Sequence, residues 1–309
     1  MDLYKDQDLN TMSESEWRKV GTSTTPNKSL RKTLALAEIV KDLDPDILML
    51  NEVGGIEAIE NFNKYFLNSQ YKVYLKEGNS RRGIDVGYLV RSDLKVKVVH
   101  ITHKDRPIDF LYPHENQTPA GGKSHYFSRD VSELRLFKPG DTSPRLTLLL
   151  THLKSKLDSD KVDFEGKLRR AAELKCLVNI YNEVKAELGA HAPIIAAGDF
   201  NGIASPHGTE PEFKILYDES DLVDSFELAK KPQNERYTQV QITHSGKQEL
   251  LQIDYMFLSP ALHDKIVPTE TYVYRYKDPS GKNAPIPKNM EERALYSSDH
   301  YPVVLTLKT

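Results

Sequence analysis

The 309-residue chain carries 45 acidic against 42 basic side chains, a formal net charge of −3, so bulk attraction to nucleic acid or anionic lipid is not indicated and any polyanion contact has to come from local basic patches. Its 39% aliphatic and aromatic content is ordinary for a soluble globular protein, and the length is enough to bury a substantial core. The single cysteine, Cys176, excludes an intramolecular disulfide and a multi-cysteine metal site, and no apolar run approaches bilayer-spanning length.

The opening residues, Met1 to Asp8, have no signal-peptide pattern and resemble the interior of a domain. A processed leader or an upstream start are both consistent with that, so cytoplasm and secretion stay open. Ser29 to Leu43 places Leu36, Ile39, Val40 and Leu43 on one helical face, with Ser29 as N-cap and Asp44-Pro45 as the stop. Ile47 to Leu50 reads as a buried strand, Ile56 to Leu67 as a short helix, and Asp85–Val90 and Val96–Val99 as strands around a Ser92-Asp93 turn. His103 to Ser124 is polar and rich in proline, a long loop. Val131 to Phe137 alternates as a half-buried strand, Leu146 to Leu150 is a largely apolar run, and Glu165 to Leu188 is the longest helical pattern, ended by Gly189. Within it Cys176 sits at core spacing, and Arg169-Arg170 reads as the exposed face. Pro193 to Ala197, Tyr237 to Thr243, Leu250 to Leu258 and Tyr301 to Leu307 complete the strands, with a short helix around Phe213 to Tyr217 and an irregular stretch from Lys277 to Ala294. No linker divides the chain, so residues 1–309 are expected to form one domain, a mixed-sheet α/β sandwich.

Chemistry gathers at strand ends. Glu52 follows Ile47–Leu50, His152 follows Leu146–Leu150, and Asp199 and Asn201 follow Pro193–Ala197 in Gly198-Asp199-Phe200-Asn201. Gln252-Ile253-Asp254-Tyr255 and Ser298-Asp299-His300 complete the series. A carboxylate or imidazole just past the carboxyl end of a buried strand is poorly placed for packing and well placed for a site. Hydrolysing a phosphodiester requires a cation on its oxygens, a base for water and donors for developing charge. Glu52, Asp199, Asn201 and Asp299 form the oxygen-rich set that suits Mg²⁺, and His152 and His300 supply proton chemistry.

With these five strings in this order, residues 30 to 309 resemble the endonuclease/exonuclease/phosphatase superfamily, Gly198-Asp199-Phe200-Asn201 with Ser298-Asp299-His300 being the specific pair. The resemblance implies a four-layer α/β (α+β) sandwich of two mixed β-sheets flanked by helices. It implies a Mg²⁺- or Mn²⁺-dependent phosphodiesterase in which activated water attacks in line. Glu52 then corresponds to the principal metal ligand and Asp299 to a second one. Asp199 corresponds to the carboxylate that orients or deprotonates water, Asn201 to a phosphate-contacting amide, and His300 to the imidazole facing the phosphate, held by Asp254. His152 corresponds to the second family histidine, with Asp85 as its expected partner. Arg81, Arg82, Lys154 and Lys156 adjoin these residues and are expected to face substrate phosphates. One departure stands out: the family's first strand, with its asparagine, has no counterpart beyond Met1 to Tyr4, and Asn10 follows no apolar run.

The residues also have plainer readings. Asp199 and Asn201 suit an Asx turn, Glu52 a solvated strand end, and His103, His114 and His125 a polar loop. Asp254 follows an apolar residue and so needs a partner, which His300 supplies. Three functions follow: a DNA nuclease as first expectation, a sphingomyelinase-like or other lipid or small-molecule phosphodiesterase or phosphatase as the alternative, and a non-catalytic module on the same fold as the third. Tyr272, Tyr274 and Tyr276 alternate in a way that suits a membrane hairpin, and the sequence points to no protein partner.

Overall fold

The computed structural model describes residues 8–9, 11–23, 28–115, 124–158, 160–243 and 245–308. The expectations for Met1 to Tyr4 and for Asn10 lie outside the described residues. Helix α1 (Glu14–Val20) opens on a capping box, in which Glu16 N–H donates to Ser13 Oγ and Ser13 N–H to the Glu16 carboxylate at 2.8 Å. Glu14 then accepts from the backbone of Leu30 and Arg31, so α1 braces the start of α2 (Leu30–Leu43). Ser29 caps α2 and Asp44 ends it in the left-handed region.

Strand β1 (Ile47–Val53), helix α3 (Ile56–Phe66) and strands β2 (Tyr71–Leu75) and β3 (Asp85–Arg91) give an antiparallel sheet in the order β1-β3-β2. The second sheet holds β4 (Lys97–Thr102), β5 (Val131–Phe137), β6 (Leu146–His152), β7 (Ile194–Asp199), β8 (Val223–Asp224) and β11 (Asp254–Leu258), in the order β4-β5-β6-β7-β11-β8. Helix α4 (Lys167–Leu188) connects β6 to β7, which pair in parallel. Short helices α5 (Lys214–Asp218) and α6 (Ser225–Leu228) flank β8. Two separate two-stranded pieces are β9 (Gln239–Ile242) with β10 (Gln248–Leu251), and β12 (Tyr272–Val273) with β13 (Val303–Val304). The short helix α7 (Met290–Ala294) lies in the last irregular segment.

Alternation along the strands assigns the layers. In β6, Leu148 and Leu150 join Val86, Tyr88 and Val90 of β3 in a core between the sheets. Leu149 points the other way, into a core with Leu174, Leu177, Val178 and Tyr181 of α4. On the far side Leu89 packs with Ala37 and Val40 of α2, Ile59 and Phe66 of α3, and Trp17. The order is helices, sheet, sheet, helix, the four-layer mixed α/β sandwich expected. Tyr88, fully buried, spans the two sheets by donating to Ser132 O at 2.6 Å and accepting from Leu150 N–H at 3.1 Å. Among the described residues no helix is long and apolar enough to cross a membrane.

Several local expectations are corrected. Leu250 to Leu258 is two strands in different sheets, because Gln252 turns inward to Asp224 and Ile253 and Asp254 give their N–H groups to Thr238 Oγ1. Only Val303–Val304 of the last apolar run pairs as a strand. Glu165 and Gly166 have φ of 55° and 64°, which delays α4 to Lys167. Tyr274 and Tyr276 are buried, so they do not form an exposed hairpin. His103 and His125 contact Glu133 and Glu115 at 2.9 and 2.7 Å and are not merely solvated. Cys176 is buried as expected, and burial pushes its thiol up to about 11.

Arg170 overturns its sequence reading most fully. Its side chain is 0% exposed, paired with Glu212 at 2.6 Å and donating to the carbonyls of Lys154 and Glu165 at 3.1 and 2.9 Å. It thereby ties the β6–α4 loop to the helix. Arg170→Ala leaves Glu212 buried and unpaired and should cost about 3–5 kcal/mol, read as a lower urea midpoint at unchanged slope. The Arg170→Met/Glu212→Leu double variant, which buries no lone charge, should recover most of that loss.

Candidate active site

Strand register brings the first three side chains together. Parallel pairing of β6 and β7 sets His152 beside Asp199, and antiparallel pairing of β7 and β11 sets Asp254 beside Asp199. Gly198 makes the approach possible: its φ is +135°, and a Cβ there would lie 1.8 Å from the Thr151 carbonyl oxygen. Past the strand, Asn201 takes a left-handed φ of 53° and its N–H donates to Asp199 Oδ1 at 2.8 Å. Its side-chain amide donates to Leu153 O at 3.0 Å and Asp199 Oδ2 at 3.2 Å. The Asx turn and the site are therefore one structure.

His300 reaches the group from the segment before β13. Its Nδ1 lies 2.9 Å from Asp254 Oδ2, and its Nε2 lies 2.9 Å from the side-chain amide nitrogen of Gln239. Asp199, Asp254 and His300 each offer a ligand atom within 4.8 Å of the others, the tightest such group among the described residues. Burial, then the charge of Asp254, raises the Asp199 carboxyl to about 7. Burial works against a charged His300, but the charge and hydrogen bond of Asp254, with Asp199 and Asp299, outweigh it and hold the imidazole at about 10. His152 goes the other way: burial, then the positive charges of Arg129, His300 and Arg82, pushes it well below its ordinary value, so it is neutral. Its Nε2 lies 3.5 Å from Asp199 Oδ2, and its buried Nδ1 has no hydrogen-bond partner.

Glu52 is exposed at the end of β1, in a left-handed φ of 57° that re-aims its carboxylate where β1 slips register against β3. Its charge acts on Asp199 and on Arg129, and together with Asp299 it acts on Lys28, whose amine desolvation pushes down. The two carboxylates, with the buried and unpartnered Oδ1 of Asn51 next in sequence to Glu52, are oxygen donors of the kind a hard divalent cation takes.

Two members of this site were missed in the sequence. Arg129 is buried, donates to Leu153 O at 3.2 Å, and its guanidinium, pushed down by desolvation, feels Glu173, Asp199 and Glu52. Lys28 is brought in by Trp17, whose Nε1–H donates to the Lys28 carbonyl at 2.8 Å. Neither follows an apolar run, so strand-end reasoning passes over both.

Three expectations on the basic flank change. Asp85 does not partner His152; its Oδ1 accepts from Gly78 N–H at 2.8 Å, because the β2–β3 connection folds back over it. The Lys154 amine donates to the carbonyls of Ser155 and Leu157, which stabilises its own loop. The Lys156 amine pairs with Glu210 at 2.8 Å. Arg81 and Arg82 remain exposed, and the charge of Arg82 reaches His152.

Two outcomes follow from these proton affinities. With Asp199 ordinarily near 3.8 and folded near 7, the folded state holds that proton more tightly, so the associated stability is present below 3.8 and lost as pH rises through 7. Calorimetry of ion-free Asp199→Asn should give a higher Tm than wild type at pH 8, with the gap narrowing by pH 5. Activity that needs ionised Asp199 and protonated His300 should rise near pH 7 and fall near pH 10. In Asp254→Asn the alkaline limb should move toward the ordinary histidine range, with kcat lower by about a hundredfold and KM nearly unchanged.

The fold is shared with several solved structures. TDP2 from Caenorhabditis elegans superposes with a TM-score of 0.56 at 20% identity, covering 90% of this chain and 69% of that one. D. rerio TDP2 complexed with single strand DNA product gives 0.58 at 18% identity, over 90% and 92% of the two chains. The human Nocturnin catalytic domain with bound sulfate anion gives 0.55 at 19%, over 90% and 86%. A search of curated protein sequences finds no match. The model of the Endonuclease/Exonuclease/phosphatase family matches residues 10–300, spanning β1 through His300, and the chain belongs to that family.

Proposed function

We propose that the protein is a divalent-metal-dependent phosphodiesterase that hydrolyses nucleic acid by in-line attack of activated water. The observation that carries the reading is the Asp199–Asp254–His300 group, in which a buried Asp199 and two half-buried partners lie within reach of one another and a base is pushed toward 7 and an acid toward 10. Asp199 orients water and accepts its proton, and the Asn201 amide, fixed by Leu153 O, keeps that carboxylate facing one way. His300, charged and held by Asp254, donates to a phosphoryl oxygen as charge builds on it. Neutral His152 and the buried Arg129 guanidinium line the opposite wall as donors to the same phosphate. Glu52 and Asp299 would hold a divalent cation, which would add charge neutralisation on the phosphate to that of His300 and Arg129.

The rim of the site supports a nucleic-acid substrate. Tyr126, three residues before Arg129, is 45% exposed, and Phe164, on the loop leaving β6, is 77% exposed. Lys167 lies over the Phe164 ring at 5.5 Å, and Arg169 donates to Tyr126 O. Aromatic faces interleaved with cations suit unpaired bases on a phosphate backbone. Leu157 on the same loop is 71% exposed, and that favours the second reading, a lipid phosphodiester.

A hydrolysis panel decides between them: single-stranded and plasmid DNA, RNA, sphingomyelin and a phosphoinositide, each with and without Mg²⁺. DNA should be cut in Mg²⁺ only, with weak sequence preference and a steep loss of rate as salt rises. Glu52→Gln should abolish the metal-dependent rate. Sphingomyelin or phosphoinositide turnover with DNA intact moves the substrate to the lipid class. No turnover of any substrate supports a binding module on the same fold.

A further inference from the structure

The imidazole of His300 is held at both ring nitrogens, and only one of the two partners is a carboxylate. Asp254 takes Nδ1, while the amide of Gln239 meets Nε2 at 2.9 Å. Gln239 is not there by side-chain reach alone. Its backbone forms an isolated antiparallel bridge with His300, and the neighbouring Tyr301 N–H donates to Thr238 O at 2.7 Å. Thr238 Oγ1 in turn accepts the N–H groups of Ile253 and Asp254, both at 3.1 Å, so the residue next to Gln239 anchors the strand that carries Asp254.

A cation clamps the same junction. The Arg275 guanidinium sits 3.6 Å from the centre of the Tyr237 ring and 4.9 Å from that of Tyr301, and it donates to Tyr237 O at 2.8 Å. Tyr237 and Tyr301 flank the Gln239–His300 pair on the two crossing segments, so the clamp keeps the segments in register. The Tyr276 hydroxyl holds the His300 carbonyl from below.

The amide suits this position chemically. On the charged ring both nitrogens carry protons, so the amide's carbonyl end, after a half-turn, accepts from Nε2–H; on the neutral ring its NH₂ end donates to a bare Nε2, so one side chain serves both protonation states. A hydroxyl is too short to bridge from this strand, and a carboxylate would repel a phosphate arriving at the same nitrogen.

We propose that Gln239 is the positioning residue for His300: it fixes the ring with Nε2 facing the cleft, and yields that nitrogen to a phosphoryl oxygen when substrate binds. The proposal rests on the phosphodiesterase reading for its second half only. Held at Nδ1 alone, the ring can swing about the bond to Cβ; held at both nitrogens, it is already in the orientation that the reaction uses.

The test uses two variants of the full chain, read in two ways. Gln239→Met keeps the length and removes both hydrogen-bonding ends; Gln239→Glu keeps an acceptor and adds a charge. Ring-nitrogen NMR of ¹⁵N-histidine protein at one pH reads the hydrogen bond without turnover, and cleavage of bis(p-nitrophenyl) phosphate in Mg²⁺ reads catalysis. In Gln239→Met the His300 Nε2 signal should shift and broaden, kcat should fall about tenfold and KM should stay within about twofold, the value of one lost hydrogen bond. Gln239→Glu should keep a sharp, single ring signal and raise KM. An unchanged His300 signal and unchanged kcat in Gln239→Met overturn the proposal, as does a rise in KM alone. Because the NMR reading needs no activity, an inactive wild-type protein would refute the phosphodiesterase reading while the Gln239–His300 pairing is still judged by its spectrum.

Discussion

Everything in the site depends on one carboxylate being buried between the ends of two neighbouring strands. Asp199 ends β7 between β6 and β11, and register alone puts an imidazole on one side of it and a second carboxylate on the other. Water is partly excluded there, so each charge is screened less from its neighbours than it would be in bulk solvent. That is why two histidines a few residues' reach apart differ so much. His300 has three carboxylates acting on it and stays charged; His152 is pushed down by burial first and then by Arg129, and stays neutral. The sandwich supplies the low dielectric, and the strand ends supply the asymmetry.

The loop between β6 and α4 shows how much structure is spent on holding such a site open. Arg170 fastens the loop from beneath, and Glu173 accepts the N–H groups of Ser128 and Lys154, both at 2.7 Å, from either side. Asp163 caps the first turn of α4 by accepting from Leu168 and Arg169 N–H. These groups are buried and charged, which makes the segment intolerant of single truncations but exact in shape. Leu153 O, where Asn201 and Arg129 converge, is the point at which this scaffold becomes the site.

Legibility in the sequence followed the physics of each signal. Leu146–Leu150 and Pro193–Ala197 are apolar but for Thr147 because both faces of β6 and β7 are covered, and such runs are read directly. Asp199, Asp254, His300 and Glu52 were legible for the same reason, as charges at the ends of such runs. The Asp254–His300 contact followed from the need of a carboxylate in an apolar strand for a partner. What escaped was set by contacts that only the folded chain makes. Arg170 and Lys156 look solvated because their partners lie 42 and 54 residues away, and Lys154 looks free because its acceptors are carbonyls of its own folded loop. Helix α1 was missed because its seven residues bury only Trp17, too little for a period to register. Asp85 was assigned to His152 by analogy, whereas the β2–β3 turn supplies a nearer donor.

Cys176 has a practical consequence. The one thiol of the chain lies inside α4, and burial keeps it protonated far above neutral pH. To a maleimide or a spin-label reagent the native protein is therefore silent. A cysteine introduced at an exposed rim position such as Phe164 becomes the sole reactive sulfur without any background substitution, so a single dye or radical can report on that rim.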